Sequence, residues 1–270
     1  MDSKTILRDI KKAAATLSVD EARYLVRLYY QMQEYRKAAN NQCRSLCDEP
    51  HETLSYFGGR FESDEKDIKA ALQKYVEAQP IGQWLMSITG IGPVISAGLI
   101  AHIDINKVCT AGQVQAYAGL DPTKEWRKGQ KRPFNADLKR LCYLAGECFI
   151  KVSNNENDVY GKLYKIRKDY ENEKNARLEY KEQAEHVLAT KNIGKTTEAY
   201  KWYSQGMLPP AHIHSRARRY AVKIFLSHLF SVWYEMVHGE KPPKPYAIAI
   251  LNHAHEIPIP NWPMAVKKAA

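Results

Sequence analysis

Leu85-Met86-Ser87-Ile88-Thr89-Gly90-Ile91-Gly92-Pro93-Val94-Ile95-Ser96-Ala97-Gly98-Leu99-Ile100-Ala101-His102-Ile103 reads as a short helix, a tight Gly-Ile-Gly turn and a second helix. Glycine permits a positive φ and lets a backbone come close to a partner. Pro93 suits the first position of a helix, because the N–H that it lacks would be unpaired there anyway. Ala97 and Gly98 are small enough for the second helix to pack closely on the first. This is the pattern of a helix-hairpin-helix nucleic-acid binder. There the turn and the following helix N-terminus aim backbone N–H groups at a phosphate, and the helix dipole favours the negative charge. Gly90, Ile91, Gly92 and Val94 are the candidate backbone contacts. The plainer reading is a sharp αα-hairpin in which Ile88, Ile91, Val94, Ile95 and Leu99 are simply core.

The rest of the chain is read around this hairpin. It has 270 residues, which allows one large domain or two smaller ones. Forty Lys and Arg against thirty Asp and Glu give a net charge of +10, which favours a polyanionic partner. No stretch is apolar for long enough to span a membrane. Met1-Asp2-Ser3-Lys4 does not begin a secretory signal. The five cysteines are odd in number and scattered, so a disulfide framework is not expected and a reducing, cytoplasmic compartment is.

Helical signals run almost throughout. A basic amphipathic helix covers 4–16. Ser18-Val19-Asp20-Glu21 is a capping box, and it opens a long helix to about Cys47. Glu49-Pro50-His51 ends that helix, and Gly58-Gly59 reads as a loop. Ser63 then caps a helix from Asp64 to Ala78. After the hairpin, Thr110 caps Ala111–Ala118, and Gly119 closes it. Asn135 caps a helix from about Ala136 to Val152. The interval 157–191 is helical and carries interleaved charges, as a solvated arm or a coiled-coil-like hairpin would. A short helix holds Ala199 to Tyr203, a strong one runs from His214 to Val237, and a last one covers Tyr246 to His255. Alternating strand patterns are almost absent. The expected fold is all-α, built around the helix-hairpin-helix with a long charged arm. The expected division is 1–80, a helical N-terminal region; 81–156, the hairpin domain; 157–205, the arm; and 206–270, C-terminal helices packing back on the core.

The strongest basic patch is Thr123–Arg140. Lys124, Arg127, Lys128, Lys131, Arg132, Lys139 and Arg140 face only Glu125 and Asp137, with Trp126 and Phe134 among them. Cations interleaved with aromatics suit backbone neutralisation and base stacking. A second cluster, Arg216, Arg218, Arg219 and Lys223, opens a helix, where cations oppose the dipole and a phosphate would offset the cost. Arg216 and Arg219 are the candidates there. Other chemistry finds little support. Cys43-x3-Cys47 and Cys142-x5-Cys148 lack zinc spacing, and His212, His214, His253 and His255 lack carboxylate or thiolate partners. Neither a metal nor a cofactor is expected. Asn192-Ile193-Gly194-Lys195-Thr196 has Ala189 where a phosphate loop needs its first glycine. Asp104 and Asp121 do not form the acidic cluster of a two-metal nuclease, and Asp121 before Pro122 reads as a turn residue.

Gly90-Ile91-Gly92-Pro93, then Ala97, then Cys109-Thr110-Ala111-Gly112-Gln113-Val114-Gln115-Ala116-Tyr117-Ala118-Gly119-Leu120-Asp121-Pro122, a basic loop, and Asn135-Ala136-Asp137-Leu138-Lys139-Arg140-Leu141-Cys142-Tyr143-Leu144-Ala145 follow in order. This order resembles the C-terminal domain of insertion-sequence transposases of the IS-one-ten and one-sixteen group, the bridge-RNA-guided recombinases. The likeness covers about 85–150, with a weaker echo over 214–255. It implies a nucleic-acid-binding scaffold used in recombination, with DNA ahead of structured RNA as partner. Two departures qualify it. The family opens with a ribonuclease-H-like domain, whereas the first 80 residues here read as helical. The family also places a catalytic serine after Gly-Leu-Asp-Pro, and no serine lies between Ser96 and Ser153. The resemblance thus implies the binding scaffold without strand transfer. Two alternatives stay open on sequence. One is an active recombinase using another nucleophile, such as Tyr117 or Tyr143, or a partner's acidic domain. The other is an interaction module forming a homodimer through the charged arm.

Overall fold

A computed structural model of the chain describes residues 8–10, 12–46, 52–124, 126–243 and 257–264. Among them every regular element is helical. In order these are α1 (Val19–Ser45), α2 (Glu52–Glu77), α3 (Gly82–Ser87), α4 (Pro93–His102), α5 (Ala111–Tyr117), α6 (Ala136–Lys151), α7 (Tyr160–Ala176), α8 (Lys181–Thr190), α9 (Glu198–Ser204) and α10 (Pro210–His238). Short 3-10 turns stand at Ala14–Thr16 and Ile105–Lys107. The fold is all-α, as the sequence implies. The chain divides into two compact units, Met1–Val114 with Leu229–Ala270, and Gln115–His228. This differs from the four segments expected above, and the boundaries fall within α5 and α10. The expected helix over Tyr246–His255 lies outside the described residues.

In the first unit, α1 begins with the expected capping box. Ser18 Oγ accepts from the Glu21 N–H, and the Glu21 carboxylate accepts from the Ser18 N–H at 2.8 Å. α1 and α2 form an antiparallel pair, fixed by Arg36–Glu65 (2.7 Å), the Tyr35–Phe61 ring contact and Cys43–Ser55. The pairing corrects the reading of residues 52–64. Gly58-Gly59 is not a loop, because α2 runs unbroken from Glu52. Gly58 sits where the helices approach, and a Cβ there would lie 3.3 Å from Asn40 Oδ1 and 3.6 Å from Ala39 Cβ. Tertiary packing outweighs the low helix propensity of the pair. Arg23 at the other end of α1 donates to the Ala101 carbonyl at 2.8 Å and ties α1 to α4.

α4 is the centre of this unit. All ten of its residues are buried. That explains why its sequence is apolar all round and lacks an amphipathic stripe. The start of α3 is equally tight. A Cβ on Gly82 would stand 1.8 Å from the Val76 carbonyl oxygen, so only glycine fits. Trp84, fully buried, donates its indole N–H to the Pro260 carbonyl at 2.9 Å.

The second unit has an aromatic core of Phe149, Tyr160 and Phe225, with ring centroids 4.9–5.3 Å apart. The charged interval 157–191 is helical but is not a bare solvated arm. Tyr160, Tyr164, Glu171 and Asn175 of α7 are buried. Three tyrosines pair with histidines of α10: Tyr160–His228 (2.9 Å), Tyr164–His214 (2.8 Å) and Tyr203–His212 (3.2 Å). Asn175 exchanges two hydrogen bonds with the Leu208 backbone, at 2.9 and 2.7 Å. Glu171 accepts from Arg167, Tyr180 and Arg216. Cys142 lies in the core, where burial pushes its thiol up to about 12. No helix among the described residues is long and apolar enough to cross a membrane, and they hold no cluster of metal-ligating side chains.

Candidate nucleic-acid interface

Two segments carry the residues singled out in the sequence, one in each unit. In the first unit α3, a turn and α4 form the expected hairpin. Gly90 has φ +92°, and the Ile91 N–H closes the turn on the Ile88 carbonyl at 2.9 Å. Gly92 caps α4 without a side chain, and Pro93 occupies the first turn. A Cβ on Gly92 would meet nothing within 4 Å, so the backbone is open to approach there. Ile88, Ile91, Val94, Ile95 and Leu99 are all buried. Ile91 and Val94 thus serve the core through their side chains. Because the Ile91 amide is bonded inside the turn, the amides of Gly92 and Val94 are the ones suited to an outside acceptor.

In the second unit the long loop after α5 is closed at both ends. Gln115 anchors the last turn of α5 by donating to the Lys223 carbonyl (3.1 Å) and Ser227 Oγ (3.0 Å). Gly119 ends the helix with φ +68°, as its C′ position requires. A Cβ there would lie 2.9 Å from Lys139 and 3.0 Å from Phe134. Asp121 is the turn residue expected, accepting from the Thr123 N–H (2.9 Å) and hydroxyl (2.7 Å). These two bonds hold its carboxyl below the ordinary range. The loop returns at Asn135, whose N–H donates to the Tyr117 carbonyl (2.9 Å) and whose side-chain amide donates to the Tyr117 hydroxyl (3.0 Å). Asn135 also caps α6 by accepting from the Leu138 N–H at 2.9 Å.

Between these fixed ends the chain is exposed from Pro122 to Pro133, Glu125 lying outside the described residues. The loop is nevertheless shaped. Trp126 donates its indole N–H to the Gln130 carbonyl at 2.7 Å, and the Arg132 guanidinium lies 5.2 Å from its ring. Gly129, at φ +91°, allows the Gln130 N–H to reach the Arg127 carbonyl. Arg127, Lys128, Lys131, Arg132 and Lys139 form no ion pair with a described residue. Lys124 faces Asp121, and Arg140 is exposed on α6.

The cluster on α10 sorts differently. α10 begins at Pro210, not His214, so Arg216 and Arg219 stand beyond its first turn, where the dipole weighs little. Arg216 is engaged in the fold. It donates to Glu171 at 2.6 Å and to Gln183 at 3.3 Å, and stacks 4.6 Å from the Tyr180 ring. Arg219 is exposed. Packing around it, and then the charges of Arg216 and Arg218, lower its pKa. An anion brought there would relieve repulsion. Arg218 pairs with Glu147 and lies 4.0 Å from the Tyr143 ring. Tyr143, half exposed one turn beyond Lys139 and Arg140 on α6, was not among the binding residues expected from sequence. Its signal was the i, i+4 spacing from Lys139.

Residues 82–151 match the family model described as Transposase IS116/IS110/IS902 family. The matched span begins with α3 and ends with α6, so it takes in both the hairpin and the basic loop. Over this segment the chain is similar to a transposase domain. The match spans about a quarter of the 270-residue chain, and over that span the chain is similar to the transposases of the IS116, IS110 and IS902 elements. No curated protein and no solved structure matches the chain.

Proposed function

We propose that this protein is a nucleic-acid-binding, non-catalytic relative of these transposases that grips the backbone of DNA, ahead of structured RNA, in recombination or its regulation. The observation that carries the reading is the exposed loop from Lys124 to Arg132. Arg127, Lys128, Lys131 and Arg132 form no ion pair with a described acid, yet the loop's two ends are pinned by Gln115, Gly119 and Asn135. Surface cations bound to no acid favour phosphate, and a loop held at both ends loses little entropy when it binds. The amides of Gly92 and Val94 and the side chains of Lys124, Arg127, Lys128, Lys131, Arg132, Lys139, Arg140 and Arg219 supply the contacts. Such contacts position a backbone and read no bases. The loop has no serine in which a strand-transfer nucleophile could be placed.

One incubation tests both halves of this reading. Supercoiled plasmid is mixed with protein and magnesium at low salt, then run on a native gel and, after deproteinisation, on a denaturing one. Retarded plasmid that stays supercoiled after deproteinisation is expected. Plasmid that is not retarded would remove the binding claim, and nicked or linear product that scales with protein would remove the non-catalytic one.

A further inference from the structure

Three rings on the second unit each carry a cation. Arg132 lies 5.2 Å from Trp126, Lys139 4.2 Å from Phe134, and Arg218 4.0 Å from Tyr143. The pairs are neighbours along the chain. Arg132 stands two residues before Phe134, and Tyr143 is one helical turn beyond Lys139 on the same face of α6. The outer rings are open to solvent, Trp126 being 41% and Tyr143 50% exposed.

The rings are also held in place. Trp126 is oriented by its bond to the Gln130 carbonyl. Phe134 and Lys139 pack against Gly119, where a side chain would displace them. Arg218 is fixed by Glu147 and by contact with Gly146, whose missing Cβ makes room for its stem. A held ring binds a flat partner at small entropic cost.

A duplex hides its base faces within the stack and offers only phosphates to such a surface. An unpaired strand offers both, and alternating rings and cations fit alternating bases and phosphates. Resting on the backbone-gripping reading above, we infer that this ridge takes single-stranded nucleic acid, with bases stacked on Trp126 and Tyr143 and the strand running past Phe134. Base stacking does not involve the 2′-hydroxyl, so DNA and RNA strands share this chemistry.

The test uses the full chain, with W126A, Y143A and W126F variants. Fluorescence anisotropy follows binding to a short mixed-sequence DNA strand, the RNA of the same sequence, and the matching duplex. Each alanine variant is expected to lose roughly tenfold or more on the single strand, as loss of one stacked base implies, with the salt dependence kept. Duplex affinity of Y143A is expected to change by less than about twofold, since no phosphate contact is removed, and W126A is expected to lose less on the duplex than on the single strand. W126F keeps a ring and retains most of the single-strand affinity. Loss on the DNA strand, the RNA strand or both supports the inference and tells which strand the ridge takes. Equal losses on strand and duplex, or none on either strand, would overturn it and leave the backbone reading standing. A wild-type protein that binds none of the three would overturn both. Thermal melts exclude misfolding, because both rings lie outside the core.

Discussion

Replacing Lys128, Lys131 and Arg132 together by glutamate (K128E/K131E/R132E) is expected to lower affinity for duplex DNA by on the order of a hundredfold at moderate salt, and the salt slope by about three. These side chains do little else in the folded protein. None of the three forms an ion pair with a described residue, and all are exposed. Arg132 alone has a ring partner, Trp126. Their removal therefore leaves stability nearly unchanged, since surface substitutions of this kind fall within about 0.5 kcal/mol. The loop keeps its frame from Gln115, Gly119 and Asn135. Anisotropy across a salt series, with a thermal melt alongside, checks both quantities. Unchanged affinity in a protein that melts normally would mean that the loop faces solvent only.

Glu171→Ala is expected to cost about 3–5 kcal/mol and to unfold the second unit at moderate temperature. Glu171 is 1% exposed and accepts from three donors, at 2.6 Å from Arg216, 2.6 Å from Tyr180 and 2.8 Å from Arg167. Truncation would leave two guanidinium groups facing each other without the charge that holds them. The same site gives a pH dependence with a definite sign. Burial opposes ionisation of Glu171, but the bonds from Arg216, Tyr180 and Arg167 outweigh it, so its folded pKa lies below the ordinary value. On acidification the unfolded chain takes up the proton first. The stabilisation is complete above the ordinary glutamate value, about 4.3, and is lost as pH falls through it towards the folded pKa. Denaturant melts across this window are expected to show the loss in the wild type and a shallower one in Glu171→Gln. Equal slopes in the two proteins would remove the linkage.

What was legible in the sequence was local. The caps at Ser18, Thr110 and Asn135, the C′ glycine at 119 and the hairpin with its five core positions follow from spacing within one turn, and they stand in the structure. What was not legible depends on partners far along the chain. Gly58 reads as a loop residue until α1 brings Asn40 and Ala39 against it. The interval 157–191 reads as solvated because its charges alternate in sign. Glu171 is nonetheless buried by Arg216, 45 residues away, and Asn175 by the backbone of Leu208, 33 residues away. The same pairing takes Arg216 out of the group of free cations in which composition had placed it. For the interface, the loop cations were visible as a charge run with aromatics. The frame that shapes the loop was not, nor was the Tyr143–Arg218 stack across α6 and α10.

The most direct measurement is the salt dependence of wild-type binding to duplex DNA, read as the slope of log affinity against log salt. A grip on backbone through the loop cations, Lys139, Arg140 and Arg219 predicts a steep slope, equivalent to roughly five or more released counterions, with affinity falling by on the order of a thousandfold between low and physiological salt. A slope near zero, or no binding at low salt, would contradict the account. The exposed cations would then be a solvated surface, and the Gly90–Gly92 turn a packing device alone.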